Sequence, residues 1–439
     1  MPLFAHWEAA PPRLAFATTA TVGGSTAVTM HGEPAISDTT ANADQVRAAH
    51  AISADPWVRR PVVCIPFAGG LVGGSHLSAI KLIKALDHAQ FEPLVLLHSA
   101  EGPLARLMAD EGIRVEEAPV RGFLSPDTRP GLGAFAALVD DMRRMIRFLR
   151  RRNVRIVHTN EGPMHATWSL PARIAGARHI WHHRGNPRAA GLRYLAPFLA
   201  TRVVSVSHYA APAAGLLSAR RKCEVVYSPF DTGAAAIDRC AARATAIASL
   251  GVAPDTRLVA FVGQFATRKR PLVFIETIAT LRRQHPELPI LGLMFGEEFE
   301  PGQDAAIDAC IAANGVGDHI RRMGFVRPVE PWLAACDALC VPAVEEPFGR
   351  TLIEAMLIGT PVVAAADGGN AEAIRNRGNG LLARPDSAGD FAARIAELIV
   401  NPGLADAIAH RARQEAQSRF GIGAHARRIT EIYREALAA

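Results

Sequence analysis

The sequence predicts an α/β protein built from two successive doubly wound parallel sheets. Two alternations of short apolar strands with amphipathic helices lead to this prediction, one over residues 61–230 and the other over 257–385. Because the strands are apolar along their length, helices must cover both faces of each sheet. The chain has 439 residues, 49% of them apolar and 21% charged. It can therefore form more than one core, and wholesale disorder is excluded.

The first alternation begins with the apolar run VVCIPF (62–67), a glycine-rich turn and the helix-periodic segment SHLSAIKLIKAL. A long helix is predicted at about 134–152. The other strands predicted in this half are 93–99, 113–120, 154–160, 179–185, 203–207 and 223–230.

The second alternation follows a switch near residues 231–256, and the chain is predicted to be helical from Ser387 onward. Its predicted strands are 257–264, 289–296, 319–325, 337–343, 361–366 and 378–385. Its predicted helices are 271–284, 303–314, 329–335, 350–358 and 370–376. The predicted domains are a poorly ordered extension (1–59), two Rossmann-like domains (60–235 and 236–415) and a C-terminal helix (416–439).

Charge and cysteine usage narrow the class of protein. Lysine and arginine number 48 against 42 acids, which gives a formal net charge of +6. This mild excess suits anionic small molecules or an anionic membrane face better than nucleic acid. The six cysteines show neither Cys-x-x-Cys pairs nor zinc spacing, and no secretory signal or run of apolar residues long enough to span a membrane occurs. A cytoplasmic protein without a structural metal is expected.

The segment EEPFGRTLIEAMLIGTPVVAAADGGNAEAI (345–374) is the most informative. It follows a predicted strand, so it turns at the carboxyl edge of the sheet, where open α/β folds bind ligands. Gly349 permits a close backbone approach, and the free amides of the helix that begins at Arg350 can bind phosphate. Glu346 and Glu354 can accept hydrogen bonds from neighbouring sugar hydroxyls. The alternative is that neither residue binds a ligand. Glu346 would then be a solvated acid of the loop, and Glu354 an ordinary glutamate in the first turn of the helix.

The segment FVGQFATRKRP (261–271) places cations at the same sheet edge. Lys269 lies six residues after the predicted strand end at Gly263, within reach of a diphosphate. The alternative is a solvated basic loop.

Together these motifs resemble glycosyltransferase family 4, whose members are retaining enzymes of the GT-B fold, and the resemblance covers roughly residues 61–435. It implies two Rossmann-like domains facing across a cleft, with the nucleotide sugar between them. It implies that Glu346 contacts the donor sugar, that Glu354 contacts the ribose, and that Lys269 with the helix amides neutralises the diphosphate. Phe348, Gly349, Arg350 and Thr351 are predicted substrate contacts. Gln264 stands where the family has arginine, so either Arg268 compensates or Lys269 and the helix amides hold the diphosphate.

The first domain adds weaker candidates. Paired glycines before a helix can approach a ligand, and the resemblance makes Gly73 and Gly74 contacts of the donor sugar and phosphate. In HIWHHRG (179–185), His183 is the first choice for a sugar contact and His182 the reserve, because strand alternation points them to opposite faces. Each could equally be a structural histidine. Arg184 could bind an anionic acceptor or a donor phosphate.

The arginine-rich segment DDMRRMIRFLRRR (140–152) has two interpretations. It is either a helix packed on the sheet with a basic outer face, or a surface that docks on anionic lipids near a lipid-linked acceptor.

The resulting functional prediction is a metal-independent, retaining glycosyltransferase of hexosyltransferase type. It would move a sugar from a nucleotide-diphosphate donor to a saccharide or lipid-linked acceptor, in the cytoplasm or at the inner membrane face, with cell-surface polysaccharide synthesis as one setting. No cofactor beyond the co-substrate and no nucleic-acid partner are expected. The alternatives are a nucleotide-sugar epimerase of the same fold and a non-catalytic sugar-binding scaffold.

Overall fold

A computed structural model describes residues 60–70, 72–124, 132–233 and 237–439, without the side chains of 132–135. The predicted N-terminal extension lies outside these residues. Residues 61–439 form one unit that contains two parallel sheets.

The first sheet has seven parallel strands in the order β3-β2-β1-β4-β5-β6-β7. Its strands are β1 (Val62–Phe67), β2 (Glu92–Leu97), β3 (Val115–Glu117), β4 (Val154–Thr159), β5 (Arg178–His183), β6 (Arg202–Ser205) and β7 (Cys223–Val225). The order reverses between β1 and β4, which opens a crevice at their carboxyl ends.

Helices cover both faces of this sheet. They are α1 (Gly74–Ala85), α2 (Pro103–Asp110), α3 (Leu132–Arg151), α4 (Gly162–Ala175), α5 (Ala190–Tyr194) and α6 (Ala196–Leu199). A 3-10 turn, Ala219–Lys222, precedes β7. The glycine-rich turn that follows β1 therefore lies at the crevice.

The second sheet has six parallel strands in the order β10-β9-β8-β11-β12-β13. Its strands are β8 (Arg257–Val262), β9 (Ile290–Phe295), β10 (Ile320–Gly324), β11 (Ala338–Val341), β12 (Val362–Ala365) and β13 (Leu381–Ala383). Here the order reverses between β8 and β11. The loops that follow these two strands, which carry Lys269 and Glu346, are therefore neighbours at the crevice.

The described residues of the second half form nine helices. In chain order they are α7 (Arg239–Leu250), α8 (Pro271–Gln284), α9 (Gln303–Asn314), α10 (Glu330–Ala335), α11 (Arg350–Ile358), α12 (Asn370–Ala373), α13 (Ala388–Val400), α14 (Pro402–Arg419) and α15 (Ile422–Ala438). The predicted helices 271–284, 303–314 and 350–358 have these bounds. The two sheets confirm the predicted fold class.

The last helix returns to the first sheet. Whereas α14 packs against α11 of the second half, α15 contacts α1 and β4. Ile429, Ile432 and Tyr433 of α15 are fully or almost fully buried in the core that also contains residues of β1. The polypeptide therefore crosses between the two halves twice, once after β7 and once between α14 and α15.

Several elements are shorter than predicted, and two of the differences from the sequence prediction have a clear local cause. The strand predicted at 223–230 ends at Val225, because the following residues leave the sheet to cross over, and Phe230 donates its backbone N–H to Phe420 (2.8 Å). The predicted switch at 231–256 contains α7. Its N-cap is Asp238, which accepts hydrogen bonds from two backbone amides, and it ends at Gly251 in a left-handed conformation. These capping residues are the signal that the prediction overlooked.

Among the described residues, no helix combines the length and apolar character needed to cross a membrane. Within the same residues, no group of three or more His, Cys, Asp or Glu side chains is arranged to hold a metal ion.

Candidate functional site at the cleft

The loop that carries Glu346 is held against a second loop by glycines. Gly369 donates its backbone N–H to the carbonyl of Glu346 at 2.7 Å. A Cβ atom on Gly368 would lie 2.8 Å from that same carbonyl oxygen, so only glycine fits there. The Asp-Gly-Gly stretch after β12 thus fixes the backbone of Glu346.

The Glu346 carboxylate accepts hydrogen bonds from two cations. Lys269 Nζ lies 2.7 Å and Arg268 Nη1 2.6 Å from the same oxygen, Oε2. Burial raises the pKa of Glu346, but the charges of Lys269 and Arg268 outweigh burial and hold it below its ordinary value. The carboxylate is therefore ionised, and two cations around one anion leave a net positive charge.

The helix α11 begins beside this cluster. Gly349, its N-cap, has φ 67°, and an added Cβ would lie 2.8 Å from Asn370 Oδ1. The amides of Arg350, Thr351 and Leu352 belong to the first turn, where no carbonyl of the same helix can accept from them. A small cavity is lined by Lys269, Glu346, Gly349 and Thr351. Cations and free amides thus face one small space, and this is the chemistry that binds phosphate at a helix start.

Arg350 joins the second half to the first. Its guanidinium donates to Ser78 Oγ in α1 (2.7 Å) and to Glu354 (3.2 Å), and lies 4.4 Å from the centroid of the Phe230 ring. Burial lowers the pKa of Arg350, while the charge of Glu354 opposes the shift. The predicted ligand arginine is thus one of the polar links across the cleft.

The glycine-rich turn makes room for this link. A Cβ on Gly74 would lie 2.5 Å from Cδ of Arg350, whereas one on Gly73 would meet only His76 Nδ1 at 3.8 Å. His76 Nδ1 accepts the backbone N–H of Gly73, and its Nε2 lies 3.1 Å from a Glu161 oxygen. Both glycines are exposed at the cleft.

A cavity of about 630 Å³ opens between the two halves. Its lining includes Glu354, Arg350, Arg327 and Glu330 from the second half, with Lys81 and Phe230 on the opposite wall. Burial, and secondarily Arg350, lowers the pKa of Lys81. Glu354 therefore borders a space large enough for part of a nucleotide, as its predicted role requires.

His183 and His182 are both buried. His183 Nε2 lies 3.0 Å from the carbonyl of Asn186. His182 Nδ1 lies 3.1 Å from His158 Nε2 and 3.3 Å from a nitrogen of Arg184. Burial lowers the pKa of both His183 and His182. They are neutral near pH 7, and neither lines the large cavity.

Arg184 is half-buried, and its side chain is held by Asn160 Oδ1 (3.2 Å) and Ser228 Oγ (3.3 Å). Burial lowers the pKa of Arg184 to about 9, and the charge of Arg350 adds to the shift. An anion bound between these two guanidinium groups would relieve their repulsion.

Two predicted substrate contacts, Phe348 and Gln264, have different surroundings. Phe348 is buried and packs with the rings of Tyr227, Phe230 and Phe420, so it belongs to an aromatic contact between the halves. Gln264 is exposed on the loop after β8. Arg268, in contrast, reaches Glu346 from the same loop.

The sequence reasoning missed Ser78, Phe230 and Asn370. Ser78 and Phe230 hold Arg350, and they had no motif to mark them because their partner lies far along the chain. Asn370 donates to the carbonyl of Ala343 (3.0 Å), while its Oδ1 is buried without a partner among the described residues. Its position directly after Gly-Gly was the available signal.

Comparisons with known proteins agree with this geometry. Residues 242–415 match the family described as glycosyl transferases group 1. A D-inositol 3-phosphate glycosyltransferase of Nocardioides sp. is 33% identical over 229 residues, which are 49% of either chain. One from Actinosynnema mirum is 35% identical over 179 residues, 39% of this chain and 42% of the relative. The chain thus covers about half the length of these relatives or less.

Solved structures resemble a larger part of the chain. HepE of Anabaena, in complex with UDP and glucose, has a TM-score of 0.71 at 22% identity and covers 84% of this chain and 98% of its own. A glycosyltransferase from Rickettsia africae has a TM-score of 0.71 at 19% identity, with 86% and 99% covered. This likeness confirms the predicted GT-B arrangement of two Rossmann-like domains facing across a cleft.

Proposed function

We propose that the chain is a retaining glycosyltransferase that transfers a sugar from a nucleotide-diphosphate donor to an acceptor hydroxyl, because residues 242–415 match the group 1 glycosyl transferase family. One observation supports this most strongly. The Glu346 carboxylate, two cations and the free amides of α11 surround one small space at the switch point of the second sheet. Relatives named as glycosyltransferases add support.

In this proposal the donor lies in the cleft with its diphosphate at the start of α11. Lys269 and Arg268 turn from Glu346 to the phosphate oxygens, and the freed carboxylate binds hydroxyls of the sugar. Glu354, at the large cavity, binds the ribose. His183 contacts the sugar from the first half, and Arg184 binds an anionic group of the donor or acceptor. Gly73 and Gly74 line the sugar side.

The proposed reaction forms a bond between the acceptor oxygen and the anomeric carbon while the bond from that carbon to the phosphate oxygen breaks. The bonding electrons leave with the nucleoside diphosphate, where Lys269 and the α11 amides stabilise the new charge. The acceptor proton passes to the departing phosphate, so no protein base is required. These cations also make the proposal metal-independent, and transfer is expected to persist in excess EDTA.

The proposed acceptor is a saccharide or a lipid-linked saccharide at the cytoplasmic face of a membrane, and the proposed setting is cell-surface polysaccharide synthesis. The first half, which contains His183 and Arg184, would bind this acceptor. Donor and acceptor specificity depend on loop geometry rather than on the shared fold.

The test combines binding and transfer. Thermal unfolding is measured with UDP-, GDP- and ADP-sugars, because a ligand that binds only the native state raises the melting temperature. Transfer of the stabilising donor's sugar to an added acceptor is then assayed. Glu346→Gln should abolish transfer while the protein remains folded. The exposed neighbour Glu345 provides the control, since Glu345→Gln should retain activity.

Other outcomes would identify the alternatives. Interconversion of free nucleotide sugars without transfer would indicate an epimerase. Donor binding without either reaction, unchanged by Glu346→Gln, would indicate a non-catalytic sugar-binding scaffold. Lack of stabilisation by every nucleotide sugar would contradict the proposal.

A further inference from the structure

A long stretch of the first half contains no acidic residue. From Gly162 to Cys223 the sequence has neither Asp nor Glu, although acids are otherwise frequent in the chain. The same stretch carries these cations: Arg173, Arg178, Arg184, Arg188, Arg193, Arg202, Arg220, Arg221 and Lys222. It spans α4, β5, α5, α6, β6 and the 3-10 turn, so its charge is concentrated at one end of the first sheet.

Large apolar side chains are exposed in this same stretch. The most exposed are Leu216 (95%) and Leu217 (70%), consecutive residues just before the 3-10 turn. The other exposed apolar residues here are Leu170, Ile174, Tyr194 and Phe198. We call these six side chains and the cations between them the acid-free face.

The elements of this face touch one another. Helix α4 contacts α5 and α6, and α6 contacts the 3-10 turn. Lys222 donates to the carbonyls of Pro197 (2.8 Å) and Ala200 (3.0 Å), which ties the turn to α6. Burial, and secondarily the nearby charge of Arg173, lowers the pKa of Lys222. The exposed apolar groups therefore belong to adjoining elements rather than to scattered positions.

Several cations of this face have no carboxylate partner. Arg173, Arg193, Arg220 and Arg221 are exposed, and within the described part of the chain none of them forms an ion pair. Two other arginines of this face do have a carboxylate nearby: Arg202 lies 3.6 Å from Glu435, and Arg188 lies 4.0 Å from Glu345. Unpaired guanidinium groups beside exposed leucines are suited to a partner that is anionic at its surface and apolar beneath.

We infer that the acid-free face docks on the surface of an anionic lipid bilayer, with Leu216 and Leu217 inserted below the headgroups. Apolar side chains enter the interface while arginines remain at headgroup level, where each adds electrostatic attraction to anionic lipid. A lipid bilayer fits better than an acidic protein, because Leu216 is almost fully exposed and Leu217 is mostly exposed, both in the turn before the 3-10 turn.

This surface differs from the helix that the sequence singled out. On α3, Arg144 pairs with Asp140 (2.6 Å), and just after the helix Arg152 pairs with Glu116 (2.6 Å), so the basic face is partly neutralised. The helix α3 packs against α4 of the acid-free face. Near its end, Arg150 donates to the carbonyl of Ile174 (2.9 Å).

The same loop connects the acid-free face to the cleft. The segment that ends at Leu217 begins after β6, where Ser207 Oγ donates to the carbonyl of Pro347 (2.5 Å) in the Glu346 loop. Resting on the proposed function, this connection implies that the acceptor is carried by a lipid of the docked membrane. The docking itself does not depend on catalysis.

The test is sedimentation of the full chain with vesicles, without donor or acceptor. One set of vesicles is phosphatidylcholine alone, and the other contains equal parts phosphatidylcholine and phosphatidylglycerol. The wild type should sediment with the anionic vesicles only. Leu216→Ser with Leu217→Ser, and separately Arg220→Gln with Arg221→Gln, should each weaken this binding at least about tenfold. High salt should weaken the wild-type binding as well.

Two control variants remove exposed charges or an exposed apolar side chain outside the acid-free face. Arg143→Gln with Arg147→Gln removes two exposed charges from α3, and Val400→Ser removes an exposed apolar group in the second half. Both should bind like the wild type. Equal binding to the two vesicle types, or equal losses in controls and test variants, would overturn the inference. A concentration-dependent dimer abolished by the leucine changes, with lipid binding intact, would instead identify a second copy as the occupant.

Transfer to a water-soluble acceptor separates this inference from the proposed function. Loss of vesicle binding with soluble transfer intact would show that only docking was affected. Vesicle binding in a protein that transfers no sugar would support docking and contradict the proposed function.

Discussion

The ammonium of Lys269 donates a 2.7 Å hydrogen bond to Glu346, and it shares its acceptor oxygen with the guanidinium of Arg268. The two cations differ in exposure, since the side chain of Lys269 is 20% exposed and that of Arg268 is 47% exposed. The buried cation acts in a medium of lower effective dielectric, where a charge stabilises a developing anion more strongly.

Lys269→Met is therefore expected to lower kcat for sugar transfer by about 100-fold, the usual effect of removing one preorganised donor to a developing anion. Arg268→Met should raise KM for the donor more than it lowers kcat, because its exposed charge is screened by water. Steady-state kinetics with the stabilising donor measure both constants. Identical changes in the two variants would contradict distinct roles.

Gly74→Ala should disrupt the contact between the halves. Its Cβ would lie 2.5 Å from Arg350 Cδ, so the arginine must move away from Ser78 and Phe230. We expect the free energy of unfolding to fall by roughly 1–3 kcal/mol, as in other overpacked sites. Urea unfolding measures the change.

Two further variants test the cause of that loss. Gly73→Ala places its Cβ no closer than 3.8 Å to the nearest atom and should have little effect. In an Arg350→Ala background, Gly74→Ala should no longer destabilise the protein, because the clashing side chain is gone. A full additional loss in this double variant would rule out the steric explanation.

Gly349→Ala should destabilise the start of α11. Its φ of 67° disfavours a side chain, and the added Cβ would lie 2.8 Å from Asn370 Oδ1. The expected loss in unfolding free energy is roughly 2–4 kcal/mol, the sum of backbone strain and overpacking. Gly359 has φ 90° and open space around it, so Gly359→Ala should lose only the unfolding free energy that backbone strain costs, about 1 kcal/mol. Equal losses would refute the contact with Asn370.

The buried histidines should make stability depend on pH. Burial, assisted by the charge of Arg184, lowers the pKa of His425 to about 3 from its ordinary 6.5. Between these values the unfolded chain binds a proton that the native state does not. The contribution of His425 to the free energy of unfolding is therefore fully present above about pH 6.5, and it is lost as the pH falls toward 3.

His425→Asn removes this titration and keeps a donor for the carbonyl of Tyr227, which His425 contacts at 2.7 Å. The dependence of unfolding free energy on pH should become shallower by about 1 kcal/mol per pH unit between pH 6 and 5. Urea unfolding at several pH values measures it. An unaltered slope in His425→Asn would contradict the assignment.

Local signals explain why much of the second half could be predicted from the sequence. Helix α8 begins at Pro271, and α11 lies between Gly349 and Gly359, so each boundary has its own chemical cause. The meeting of Lys269 with Glu346 also follows from strand alternation, because β8 and β11 are adjacent at the switch of the sheet.

Long-range contacts could not be predicted in this way. Ser78 and Arg350 are 272 residues apart, and neither position carries a pattern that indicates the other. The short strand β7 was overextended for a similar reason. The apolar residues after Val225 read as a strand, but they are buried against the returning chain rather than in the sheet.

The two crossings between the halves run side by side. Phe230 accepts a hydrogen bond from the backbone of Ile422 and donates one to Phe420, so outgoing and returning chains are paired like a short piece of parallel sheet. We expect two crossings paired in this way to favour rotation of the halves about that line over sliding of one half past the other. Opening of the cleft by such a rotation would break the hydrogen bond from Arg350 to Ser78.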